Sequence, residues 1–211
     1  MIKPFIRSRD PAKLQKLAAV GDPKAQWKLG LAYEDGRGVI RDQTEAAKWY
    51  QRAADQGHAP SQNCLGLLSQ YGRGVRRDLT KAVKWYRAAA DAGNAHAQFN
   101  LALLYKRGEG VGQDLNAARR LYIAAAKFGY SPAQYNLAIQ YEKGLGGAQN
   151  YAEAIKWFRR AAKQGLPEAQ LKLAVIYDKG SGVKKDSKRA MKWYCKAAEQ
   201  GYAPAQYKLA V

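Results

Sequence analysis

With 211 residues, 47% of them hydrophobic, the chain is long enough to bury a sizeable continuous core. Its 36 Lys and Arg against 17 Asp and Glu give a formal charge of +19, which reads either as a solvated, soluble face or as a surface for an acidic partner: an acidic protein, nucleic acid or an anionic membrane. No run approaches about 18 consecutive apolar residues, which excludes a transmembrane helix, and with two histidines no Ser-His-Asp or Cys-His centre can be assembled from the sequence.

The opening MIKPFIRSRD is basic but has no long apolar run, so it does not read as a secretory signal, and a cytoplasmic location is expected unless a signal has been removed from a periplasmic or secreted protein. Residues 10–20, DPAKLQKLAAV, predict a helix. From Gly21 onward the chain keeps a strict period: Gly21, Gly57, Gly93, Gly129, Gly165 and Gly201 stand 36 residues apart, and everything around them recurs. A fixed period of this length predicts a solenoid of stacked units. The units are 21–56, 57–92, 93–128, 129–164 and 165–200, flanked by an N-terminal segment and capping half-repeat over 1–20 and a half-repeat over 201–211.

Each unit reads as two helices. In the first, Ala25, Leu29, Gly30 and Tyr33 fall on one stripe at helical spacing. Position 30 and its equivalents are small, which lets a neighbouring backbone approach closely. Asp22-Pro23 and Ser131-Pro132 each offer a capping side chain followed by proline at the first helical position. Gln26 and Leu29 recur in every unit without exception. Gly36 and its equivalents stop the helix, since glycine accepts the left-handed conformation of a helix end. Asp42 with Glu45, and Asn150 with Glu153, predict capping boxes for the second helix. Within it Ala46, Trp49, Tyr50 and Ala53 make a packed stripe. Leu17-Ala18 match Ala53-Ala54, so the helix over 10–20 is a second-type helix, and GYAPAQYKLAV is a first-type helix that either caps the stack or ends it mid-array. One helix, five pairs and one more give twelve.

AQWKLGLAY, GRGV, the following Asp and EAAKWYQRAADQG resemble the Sel1-like repeat family, relatives of the tetratricopeptide repeats; AQYNLAIQYEKG and RAMKWYCKAAEQG repeat the likeness in later units. It covers residues 21–211. The resemblance implies an all-α, right-handed α-α superhelical solenoid of helix-turn-helix repeats, and a scaffold for protein complexes, often in bacterial signalling, envelope or host-interaction systems. Ser69, Leu121 and Gly147 depart from the pattern and are expected to weaken local packing. Secreted relatives of one bacterial branch carry a cysteine pair in every repeat; here Cys64 and Cys195 lie too many units apart for a disulfide, which fits a reducing compartment.

Chemistry is sparse. His58 and His96 have no ligand partners at metal spacing and are expected to be exposed structural residues. The YGRGVRRD loop lacks the Gly-Lys-Ser/Thr ending and the strand of a phosphate loop. Glu34, Asp35 and Glu142 sit at helix ends and are expected to face solvent. No catalytic residue, metal or cofactor is expected, and the chain is not read as an enzyme.

A binding surface is expected on the concave side lined by the first helices. Position 28 runs Lys28, Cys64, Asn100, Asn136, Lys172, Lys208, groups suited to carboxylates or peptide backbone. Position 27 runs Trp27, Asn63, Phe99, Tyr135, Leu171, Tyr207 and offers apolar walls or plain helix packing. Tyr71, Lys106, Arg107, Lys143 and Lys179 extend a basic, partly aromatic groove. A second basic stripe, Lys48, Lys84, Arg120, Lys156 and Lys192, runs outside, with the interleaved aromatics assigned to the core. The expected function is a non-catalytic adaptor binding an acidic protein or peptide. The alternatives are an immunity protein neutralising a toxin or secreted effector, and nucleic-acid or anionic-surface binding through the net charge.

Overall fold

The structure, a computed structural model, describes residues 11–210, with side chains from residue 13; the reading of the basic opening segment lies outside the described residues. Twelve helices and no strand occur among them. They are α1 (Pro11–Ala19), α2 (Pro23–Asp35), α3 (Gln43–Asp55), α4 (Ala59–Tyr71), α5 (Leu79–Asp91), α6 (Ala95–Arg107), α7 (Leu115–Lys127), α8 (Ser131–Lys143), α9 (Tyr151–Lys163), α10 (Pro167–Lys179), α11 (Ser187–Ala198) and α12 (Ala203–Ala210). Even-numbered helices are the first-type helices and odd-numbered ones the second-type. The all-α, helix-turn-helix solenoid class follows from consecutive helices packing on one another. The chain groups into two compact units. One reaches to Leu104 and takes in Gly108–Gly112; the other comprises Tyr105–Arg107 and the chain from Gln113 onward. The first holds α1 to α5 and most of α6; the second holds the end of α6 and α7 to α12.

The core of both units is built from small and large members of the predicted stripes. Tyr50, Tyr86, Tyr122 and Phe158 are fully buried, as are Ala46, Ala53, Leu137 and Leu173. At Gly30 and Gly66, a Cβ would strike the ring of Tyr50 or Tyr86, so the small residue admits a side chain of the same repeat rather than a neighbouring backbone. The tryptophans depart from the expected stripe. Trp157 is buried, but Trp49, Trp85 and Trp193 stay half-buried. Cations cover the outer faces of three of these rings: Arg52 over Trp49 at 4.3 Å, Arg160 over Trp157 at 4.6 Å and Lys196 over Trp193 at 5.0 Å.

The glutamine of each first-type helix is a polar tie, buried from α2 to α10 and exposed on α12, that periodicity alone did not explain. Its Nε2 donates to an alanine carbonyl at the end of the preceding helix: Gln26 to Ala18, Gln62 to Ala54, Gln98 to Ala90, Gln134 to Ala126, Gln170 to Ala162 and Gln206 to Ala198. Those carbonyls belong to a helix C-terminus, where intrahelical donors have run out. Burying the amide therefore satisfies both groups.

Capping is simpler than the boxes predicted. Asp42 Oδ1 accepts from the backbone of Thr44 and Glu45, and Asn150 Oδ1 from Glu153. Glu45 and Glu153 turn outward to Lys48 and Lys156 instead of reaching back. They are not needed there, because the N–H groups of Asp42 and Asn150 already donate to the carbonyls of Tyr33 and Tyr141. The same bond recurs from Asp78 to Ser69, Asp114 to Tyr105 and Asp186 to Tyr177, and it sets the turn between the two helices of every repeat. Ser131 is inside α8, so its predicted capping role fails; Tyr130 holds the cap position without a side-chain bond. Gly147 does not leave a void. The guanidinium of Arg119 fills its place, stacks on Tyr141 at 4.0 Å and donates to the carbonyl of Ala148.

Candidate functional site

The first-type helices divide their side chains cleanly. Positions 25, 26, 29 and 30 and their equivalents are buried through α10, while positions 27 and 28 stay partly open. In the first unit Lys28 is half-buried on α2, and Asn63 and Asn100 lie on α4 and α6, where Asn100 Nδ2 donates to Asn63 Oδ1 at 3.1 Å. This bond links adjacent repeats and orients both amides. Phe99 is half-buried, and Tyr71 is exposed with the Arg73 guanidinium over its ring at 5.2 Å. Cys64 interrupts the ladder of polar groups. Burial pushes its thiol up to about 11, only partly offset by Trp27 beside it, so it stays neutral at physiological pH.

In the second unit Asn136 Nδ2 donates to the Pro132 carbonyl at 2.9 Å, and Tyr135 meets the Phe158 ring edge-on with centroids 5.7 Å apart. Lys172 pairs with Glu142 at 3.0 Å and lies over Phe158, so its charge is partly met within the protein. Lys106 is half-buried, and its carbonyl accepts from Gln113. Arg107, Lys143, Lys179 and Lys208 are exposed. The candidates thus fall into two groups, one on each unit: Lys28, Asn63, Tyr71, Phe99 and Asn100 on the first, the rest on the second.

Two carboxylates expected to face solvent are tied down. Glu34 accepts from the Tyr50 hydroxyl at 2.6 Å. Tyr86 bonds Gln70 in the same way at 2.8 Å. Phe158 has no hydroxyl to give, which releases Glu142 to Lys172. The signal was present in the sequence as the change from tyrosine to phenylalanine at position 50 of the repeat while the glutamate at position 34 is kept. Burial first, then the nearby Cys64 and the bond with Glu34, holds the Tyr50 phenol far above its ordinary range.

His58 is not an exposed residue. It is half-buried against Trp27, with ring centroids 5.8 Å apart, and its Nδ1 lies 2.9 Å from Ser61 Oγ. Burial and then Lys24 lower its pKa, which favours the neutral imidazole. Among the described residues no group of three or more His, Cys, Asp or Glu is placed to hold a metal ion. Cys64 and Cys195 are both free. No helix among the described residues is long and apolar enough to cross a membrane.

A family model described as Sel1 repeat matches residues 23–58, 59–94, 95–130, 131–166 and 167–202. The crystal structure of c5321, described as a protective antigen present in uropathogenic Escherichia coli strains and displaying an SLR fold, is 37% identical with a TM-score of 0.86. That likeness covers 93% of this chain and 42% of the other, so this chain spans less than half of that protein's length. A Sel1 repeat protein from Oxalobacter formigenes is 34% identical, with a TM-score of 0.83 over 91% of this chain and 79% of its own. The immunity protein PA5088 from Pseudomonas aeruginosa shares the fold at 22% identity and a TM-score of 0.59, over 98% of this chain and 75% of its own. No protein of curated function matches the chain.

Proposed function

The chain belongs to the Sel1 repeat family, whose members generally mediate protein–protein interaction as non-catalytic scaffolds, and from that premise we propose that it is an adaptor holding an acidic protein or peptide on its first-type helices. The observation that carries this reading is the open pair of positions beside a buried stripe. The stripe is spent on packing, whereas Lys28, Asn63, Asn100, Asn136 and Lys208 keep polar groups at the surface of those helices. The Asn63–Asn100 bond uses one donor and one acceptor, which leaves a carbonyl on Asn100 and an amide on Asn63 for a peptide backbone. Exposed Lys143, Lys179 and Lys208 add positive charge on the second unit, which favours encounter with an acidic partner and disfavours a basic one. A cytoplasmic setting, with both thiols reduced, belongs to the same reading.

The test is a pull-down with mass spectrometry, run in low and moderate salt, comparing the protein with an Asn100→Ala/Asn136→Ala variant. Both amides are partly open and each makes one hydrogen bond within the protein, so helical content and melting temperature are expected to stay nearly unchanged while capture of the partner is lost. Equal recovery by the variant places the site elsewhere. A recovered toxin or secreted effector makes the adaptor an immunity protein, the role of the Pseudomonas aeruginosa protein, whose likeness to this chain extends to the fold alone.

A further inference from the structure

A basic cleft lies in the second unit, away from the positions discussed above. Its volume is about 350 Å3, and its walls come from α9, α10, the loop after α10 and the start of α11. Arg159, Lys184, Lys185 and Arg189 line it, with Asp186 as the single carboxylate and Tyr177 as the single aromatic residue. Tyr177 organises the two arginines. Arg159 Nη2 donates to its hydroxyl at 3.0 Å, and the Arg189 guanidinium stands over its ring at 5.6 Å. The phenol carries no charge to meet that of Arg159. Asp186 is spoken for: one oxygen caps the backbone of Arg189, and the other pairs with Arg189 Nε at 3.2 Å. Lys184 and Lys185 stand exposed on the loop.

Only here do all four lining positions carry a cation; the corresponding place on α3, α4 and α5 carries three. Three repeats earlier, the four positions occupied by Arg159, Lys184, Lys185 and Arg189 read Gln51, Arg76, Arg77 and Lys81. They read Arg87, Gly112, Gln113 and Ala117 in the next, and Ile123, Ala148, Gln149 and Glu153 in the third. What sets the last of these places apart is Arg159 held on the Tyr177 hydroxyl, where the counterpart on α3 and α4 has Gln51 and Ser69.

We propose that this cleft between α9, α10 and α11 is a docking site for an acidic polypeptide segment. Guanidinium groups held in fixed directions suit carboxylates, which they bind through paired N–H donors. Single-stranded nucleic acid needs aromatic faces on which bases stack. Here the Tyr177 ring is 5% exposed and covered by Arg189, so the cleft offers charge without a stacking platform. The site includes none of the adaptor's candidate residues and stands independently of that reading.

The test is fluorescence anisotropy with a labelled peptide of about ten glutamates at low salt, where charge-driven binding is strongest. An Arg159→Gln/Arg189→Gln variant is expected to weaken binding roughly tenfold or more, the scale of losing two charge-assisted contacts. Arg120→Gln/Lys192→Gln removes the same charge from exposed positions of the same unit and is expected to weaken it less than about threefold. Both variants are checked by circular dichroism and urea midpoint. Asn100→Ala/Asn136→Ala is expected to bind the peptide normally. Equal losses from the two charge variants, no binding at all, or a single-stranded oligonucleotide of equal charge that binds more tightly and responds to the same arginines would overturn the proposal.

Discussion

The buried glutamines separate what a repeated residue does from what its neighbours must supply. Each donates to the preceding helix, but its carbonyl oxygen also needs a partner once it leaves water. Gln56 Nε2 serves Gln26 at 2.8 Å, Gln164 serves Gln134 at 2.8 Å and Gln200 serves Gln170 at 2.7 Å. Gln62 and Gln98, whose Oε1 atoms are buried without a partner, belong to the repeats that end in Ala92 and Phe128 instead of glutamine. The backbone at Ala92 (φ −78°, ψ 10°) matches that at Gln56 (φ −87°, ψ 10°), so the missing side chain has the right starting point. Ala92→Gln is therefore expected to raise stability by about 1 kcal/mol, the net value of one hydrogen bond to a buried acceptor. Urea denaturation reads the change; an unaltered or lower midpoint rejects the pairing. The recurring glutamine was legible from the sequence, but its purpose was not, because the acceptor lies on another helix.

Helix ends carry the repeat's geometry, and there the sequence was a good guide with specific failures. Gly36, Gly72, Gly108, Gly144 and Gly180 end their helices in the left-handed region, as their placement implied. The second glycine of the pair has a further cause at Gly74, Gly110 and Gly146, where it packs against the backbone at the start of a second-type helix. At Gly74 φ is 67°, and a Cβ would collide with the backbone carbonyl of Gln43 at the start of α3. Gly74→Ala thus adds a steric conflict with rigid backbone to conformational strain of roughly 1–3 kcal/mol. A fall in stability of at least that size, measured by urea, is expected. A variant within about 0.5 kcal/mol of the parent, the usual range for a surface change, contradicts the close approach. Local rules named the cap residues Asp42 and Asn150 correctly. They overreached at Glu45 and Glu153, because the bond that replaces the box runs from a turn back to the preceding helix.

At the scale of the whole molecule, charge is the unusual quantity. With +19 and few carboxylates to answer it, the folded chain repels itself, and added salt screens that repulsion. The exposed ion pairs, such as Lys48–Glu45 and Lys156–Glu153, contribute too little to reverse the sign when they are screened in turn. The melting temperature is therefore expected to rise between about 20 and about 200 mM NaCl. A flat or falling trend means that the cations are already compensated. Stacking on tryptophan and tyrosine accounts for several of them, including Arg52, Arg119 and Arg160. In the last basic cleft Arg189 is likewise stacked on Tyr177 and paired with Asp186, whereas Lys184 and Lys185 stand exposed.

By itself the sequence determined the period, the helix pairs and most of the buried stripe, because each repeat restates the same apolar spacing and the same glycine stops. It also marked the positions where repeats disagree. Tertiary structure decided what those disagreements do. Phe158 frees Glu142 for Lys172, and Gly147 gives its space to Arg119. Tyr177 aligns two arginines in a cleft that no linear motif announces. Each of these effects joins residues from different helices, so their energies depend on distances that periodic spacing does not encode.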